Sequence, residues 1–175
     1  MSGKDTMDKR NELIREITVT VGNEPIQIFM QHHFWNSEYM SSSLHKHKFA
    51  EVHIVLEGQI EYQACGECVM LLPGDMVVIP QETMHCSQDP ICHARRITFQ
   101  LTKQIRQFRV VHPGTHITSM LEDKIALYLN TGETAQLGAC LTLICSMLPG
   151  INGYPITPVQ NFNYLIDHFI SRNYN

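Results

Sequence analysis

The sequence predicts a mainly-β domain, an antiparallel sandwich or barrel, with helices after it. Short β-rich runs broken by turn residues fill Glu16 to about Leu101, and the period turns helical after Thr115. A length of 175 residues suits one core with a short appendage, large enough to fold without a disulfide or structural metal.

The elements follow in order. Thr18-Val19-Thr20-Val21 are β-formers, and Ile26 to Met30 follows a turn at Gly22-Asn23. Further strands are expected at 52–56, 59–62, 69–72, 76–79 and 97–101, separated by Gly58, Cys65-Gly66, Pro73-Gly74 and Asp89-Pro90. Ser119-Met120-Leu121-Glu122 reads as a capping box, with Leu121, Ile125, Tyr128 and Leu129 on one face of a first helix. After Thr131-Gly132 a second helix is expected from about Thr134 to Leu148. One stripe of it carries Leu137, Cys140, Leu141, Ile144, Cys145 and Leu148, and another Ala139, Leu143 and Met147. A helix apolar on two faces must bury both, which fits packing on its own barrel and on a second subunit. Residues 149–155 are turn-rich, and Thr157-Pro158 opens a third helix with Val159, Phe162, Ile166 and Phe169 on its stripe.

Composition sets limits on function. The chain is 43% hydrophobic and 17% charged, a globular mixture that excludes a mainly disordered chain. Its formal net charge of -4 makes it a poor nucleic-acid binder in itself. The N-terminus has no apolar signal region and no stretch is long enough to span a bilayer, so a cytoplasmic chain with reduced thiols is expected.

Ten histidines are unusual, and the chemistry gathers between His45 and His85. His45 and His47 stand at i and i+2, on one face of a strand, and Glu51 shares their parity if that strand runs on without a bulge. Gly58 then ends the strand. Gly74, Pro80 and His85 follow at fixed steps, and a strand of His85 lying beside that of Glu51 would bring three imidazoles and one carboxylate together. Such a set suits Zn, Fe, Mn, Ni or Cu and leaves one or two coordination positions open. An HxH pair alone is expected by chance roughly 0.6 times in this composition, but with Glu51 and Gly58 at their spacings the figure falls to roughly 0.002.

The run HxHx3Ex6G from His45 to Gly58 resembles the first cupin motif. Gly74 to His85 resembles the second, with Glu82 where that family usually has glycine. The resemblance implies a double-stranded β-helix barrel followed by an antiparallel helix pair, with His45, His47, Glu51 and His85 as metal ligands. The wider order of barrel, apolar helix pair, linker and a helix ending LIDHFISRNYN resembles the AraC/XylS family of transcription regulators. That likeness implies three parts: an effector-binding barrel at 1–115, a helical dimerisation region at 116–150, and at 151–175 a linker with the first helix of a DNA-binding domain. It further implies a small effector (a sugar is plausible), a homodimer through 119–148, DNA contact only through the missing C-terminal domain, and no membrane partner.

His53 has the parity of Glu51 and is expected in the cavity, as effector contact or satisfied core histidine. Phe34 and Trp35 could line the mouth of the barrel, although such pairs usually pack. Cys65 and Cys68 form a CxxC where a hairpin turn is needed, with Cys86 and Cys92 downstream. A turn fits better there than a zinc knuckle or redox pair. His32, His33, His93, His112 and His116 lack ligand spacing. Arg95, Arg96, Lys103, Arg106 and Arg109 read as a solvated face. The expected function is ligand sensing without catalysis, and neither catalytic nor DNA-binding residues are assigned. The alternatives are a stand-alone cupin metalloenzyme, a dioxygenase or isomerase, and a metal- or sugar-binding module without a reaction.

Overall fold

The computed structural model describes residues 14–34, 42–88 and 94–148. It is mainly β, with two antiparallel sheets and two helices after them. The strands are β1 (Ile14–Val21), β2 (Glu24–Phe34), β3 (Ser42–His45), β4 (Ala50–Glu57), β5 (Ile60–Ala64), β6 (Glu67–Leu71), β7 (Met76–Ile79), β8 (His85–Gln88), β9 (Arg95–Leu101) and β10 (Arg109–Val111). The first sheet runs β1-β2-β9-β4-β7-β10 and the second β3-β8-β5-β6, so from β3 to β9 consecutive strands change sheet at every step except the β5–β6 hairpin. This is the barrel-like cupin arrangement that the sequence predicts.

Period-2 alternation divides the side chains of the larger sheet. Val52 and Ile54 of β4, Met76 and Val78 of β7, and Ile97, Phe99 and Leu101 of β9 face the helices α1 (Thr115–Thr131) and α2 (Ala135–Met147). The opposite parity, Val55, Val77 and Ile79, meets Ile60, Tyr62 and Leu71 of the smaller sheet to form a second core inside the barrel. A fully buried Ile, Leu or Phe contributes about 1.5–3 kcal/mol, so the helix-covered core dominates cohesion.

The helices differ from expectation in two respects. α1 begins a turn earlier than the capping box suggests, after Gly114 (φ 89), with no side-chain cap. Ile117 and Thr118 are buried in that added turn. Its end is as expected: Gly132 is left-handed and its N–H donates to Tyr128 O. Along α2, Leu143 and Met147 are buried together with Leu137, Leu141 and Ile144. Both stripes of α2 are therefore covered within one chain, and its apolarity requires no second subunit. The linker and third helix of the sequence reading lie outside the described residues.

Gly74 explains one glycine of the second motif. Its φ is 92°, and a Cβ there would come within 2.7 Å of Thr115 N and 2.9 Å of Gly114 C. The bare backbone lets the β6–β7 turn touch the start of α1, and Gly114 N donates to Gly74 O at 3.0 Å.

Candidate metal and effector site

The site is assembled from both sheets. β3 ends at His45, so the strand does not run on to Glu51 as expected. His47 sits in the connection, and β4 begins at Ala50. Nor does the strand of His85 lie beside that of Glu51: β8 pairs with β3 and β5, with His45 opposite His85 in register, while Glu51 reaches across from β4. The four residues converge all the same. One ligand atom from each of His45, His47, Glu51 and His85 can be chosen so that all lie within 4.8 Å of one another.

Hydrogen bonds fix the rings. His45 Nδ1 is 2.6 Å from Ser43 O and His85 Nδ1 2.8 Å from Thr83 O, so both nitrogens donate and Nε2 is left to face the centre. Glu51 Oε2 lies 3.2 Å from His47 Nε2 and 3.0 Å from both His53 Nε2 and His85 Nε2. The His53 contact is short but out of line for its ring N–H, which leaves that buried nitrogen unsatisfied. Its other nitrogen, Nδ1, accepts from the Thr98 hydroxyl at 3.1 Å.

These contacts set the charges. Burial alone would raise the Glu51 carboxyl, but His53, His85 and His47 overrule it and hold it far below the ordinary carboxylate range. Burial would lower His85, yet its bonds to Glu51 and Thr83 O raise it. His47 is lowered by burial against the pull of Glu51. His53 is pushed down by burial to about 4 and is neutral at pH 7.

The residues fit a divalent transition metal. Ligands about 2.0–2.2 Å from one ion lie about 3 to 4.4 Å apart, so a set within 4.8 Å needs side-chain adjustment and no rearrangement of the strands to close on an ion. The Nδ1 bonds to carbonyls are those that commonly orient imidazole ligands. His45, His47, Glu51 and His85 would hold the ion, and the donor set does not select one metal.

Glu82 shows how the departure from the second motif is accommodated. It adopts φ 57, the left-handed conformation a glycine would take freely, and its N–H donates to His47 O at 2.8 Å. The turn thus forms without glycine and braces the loop that carries His47.

The four residues open onto a cavity of about 170 Å³, which His53 also lines, as its parity predicts. The sequence reading missed Ser42, Tyr62, Ser87, Arg96 and Thr98 on its wall. Arg96 is the correction of most consequence. Read as part of a solvated face, it is 7% exposed, and its Nη1 donates to the Tyr62 hydroxyl at 2.5 Å and to Ser87 Oγ at 3.0 Å. The signal was present: with Ile97, Phe99 and Leu101 on one face of a strand, Arg96 and Thr98 must point to the other. Trp35 lies outside the described residues, as do Cys92 and His93. Cys65 and Gly66 form the expected hairpin turn, both at positive φ, and Cys65 and Cys68 are exposed. His112 is also exposed, with Nδ1 2.7 Å from Asp75 Oδ1.

Part of the chain is similar to a known domain family. Residues 30–88 match the AraC-like ligand binding domain. The match runs from the end of β2 through β8, so it includes the four clustered residues and stops short of Arg96 and Thr98. No curated protein matches the chain. Among solved structures, a cupin-2 domain protein of Shewanella frigidimarina shares 19% identity over 60% of this chain and 94% of its own, with a TM-score of 0.34. KdgF of a Halomonas species shares 17% over 59% and 96%, TM-score 0.37. A salicylate 1,2-dioxygenase variant of Pseudoaminobacter salicylatoxidans shares 16% over 44% and 22%, TM-score 0.36. Likeness at that distance carries no functional argument. Among the described residues no helix is long and apolar enough to cross a membrane.

Proposed function

We propose that this chain is the effector-sensing part of an AraC-type transcription regulator, acting without catalysis in the cytoplasm. A small polar effector enters the barrel and contacts a divalent metal held by His45, His47, Glu51 and His85. The observation that carries this reading is the polar cavity bearing that set, within a segment that matches a ligand-binding domain. The metal would supply a Lewis-acidic contact for an effector oxygen. The chain itself orients the imidazoles through Ser43 O and Thr83 O, and lines the cavity with the hydroxyls of Ser42, Tyr62, Ser87 and Thr98. Dimerisation through residues 119–148 belongs to the same proposal, with DNA contact falling to a C-terminal domain.

A second reading, a cupin metalloenzyme, is favoured by the three-imidazole, one-carboxylate set, which leaves coordination positions open for a substrate. Two measurements decide. Elemental analysis of the purified chain is expected to show about one divalent metal per chain, lost in Glu51→Gln and His47→Ala. Small molecules that bind are expected to be recovered unchanged after prolonged incubation. Metal-free protein with unaltered ligand binding would overturn the metal-centred pocket, and conversion of the bound compound would favour the enzyme.

A further inference from the structure

We propose that His53 reads the effector by donating from Nε2 to an oxygen that carries no proton, and that the effector is a small carbonyl compound. This rests on the effector-pocket reading above and gives it a chemical class. His53 lies on β4, is 4% exposed and lines the cavity. Among the described residues its Nε2 has no hydrogen-bond partner.

Its neighbours decide where the ring proton sits. Glu51 Oε2 stands 3.0 Å from Nε2, off the line of the ring N–H. A bare Nε2 would set its lone pair against those of a carboxylate at that distance, so the proton belongs on Nε2. Nδ1 is then the acceptor, and the Thr98 hydroxyl serves it at 3.1 Å. The result is a buried N–H at the cavity wall without an acceptor, a costly state that a ligand oxygen would relieve.

Tyr62 adds a second donor beside it, with ring centroids 4.9 Å apart. The Tyr62 oxygen accepts from Arg96 Nη1, and an arginine only donates, so the phenol proton is not used in that bond. Burial pushes the phenol up to about 12, which keeps that proton in place. A carbonyl oxygen accepts through two lone pairs and brings no proton. A hydroxyl in its place must also hand on its own proton, and Glu51 Oε2 is already met by three imidazole nitrogens within 3.2 Å. The cavity of about 170 Å³ admits a compound of a few carbons.

Two experiments on the full chain test this. In isotope-edited NMR of the ring nitrogens, metal-free and zinc-loaded, His53 is expected to carry its proton on Nε2. A proton on Nδ1 alone, or zinc on Nε2, overturns the proposal. Calorimetric titration then compares dihydroxyacetone with glycerol and hydroxyacetone with propylene glycol, pairs that exchange one carbonyl for one hydroxyl. At least one ketone is expected to bind about 10- to 100-fold more tightly than its alcohol. His53→Phe should bring that ratio to about one, and His53→Gln, whose amide still donates, should keep part of it. Should His53→Phe fail to fold, the position of the ring proton and the ratio in the unaltered chain decide. A preference unchanged in His53→Phe overturns the assignment. Alcohols that bind as tightly as their ketones overturn it and leave the effector pocket standing. A panel in which no compound binds overturns both.

Discussion

The two faces of the larger sheet are made by the same strands and do opposite work. On β4 and β9 the residues Val52, Ile54, Ile97, Phe99 and Leu101 lie in a dry apolar layer under α1 and α2. Their immediate neighbours Glu51, His53, Arg96 and Thr98 form the polar wall of the cavity. The two sets differ only in parity, odd against even within each strand. Stability is therefore concentrated on one face and ligand chemistry on the other, and an effector can perturb the polar face without disturbing the layer that holds the fold together.

The largest expected effect tests that division directly. Phe99→Ala removes a fully buried ring from the helix-covered face and should cost about 3–5 kcal/mol in urea unfolding. Thr98→Val, one residue away and facing inward, keeps the volume and loses one hydroxyl bond to His53. It should cost about 1 kcal/mol. A larger loss for Thr98→Val would mean that the polar wall, rather than the apolar layer, holds the sheet.

The next effect belongs to the polar face alone and is a pH dependence. Folded His53 is held near 4 chiefly by burial, while the unfolded residue titrates near 6.5. Between those values the unfolded chain binds a proton that the folded chain does not, so stability falls as pH drops through the window. The full drop is roughly 3 kcal/mol. His47, also lowered, acts in the same direction. His85 does not offset this: its raised value gives stability that is complete below 6.5 and lost only as pH rises through it. Glu51, held low, acts in the same direction but begins to lose its contribution only as pH falls through about 4.5, at the acid end of the range. Urea midpoints measured from pH 7 to pH 4 in chelator should show the slope, and His53→Gln should flatten it. An acid slope unchanged by that substitution would sink the attribution.

How much of this was legible beforehand depended on the same alternation. The apolar residues of β4 and β9 favour one parity, so those strands and their helix-facing sides could be read from them, whereas β7 is apolar on both faces and showed only that it is buried. The histidine cluster was legible from spacing, although its assembly was not. β3 and β8 are four residues each, with burial patterns that do not alternate cleanly with hydrophobicity, and nothing in either run announces that His45 pairs with His85. The start of α1 was displaced because Gly114 ends the preceding segment by close contact with Gly74, a long-range event that no local capping signal reports. Arg96 was missed because adjacent arginines look like surface when counted as charge, and only parity separates them.

The smallest effect makes that separation measurable. Arg95 and Arg96 are neighbours on β9, and alternation sends them to opposite faces. Arg95 spans outward to Glu57 Oε1 at 2.8 Å and Glu122 Oε1 at 3.0 Å, tying the sheet to α1 across a partly exposed seam. Ion pairs with that much water around them contribute little, so Arg95→Gln should cost between about 0 and 1 kcal/mol in urea unfolding and less in added salt. It should also leave effector binding where it was, since its side chain never enters the cavity. A ligand affinity that changed with Arg95 would show that α1 senses the pocket through this bridge, and the two faces would then be energetically coupled. Unchanged affinity with a small, salt-sensitive loss of stability keeps the arginines as independent as their parity implies.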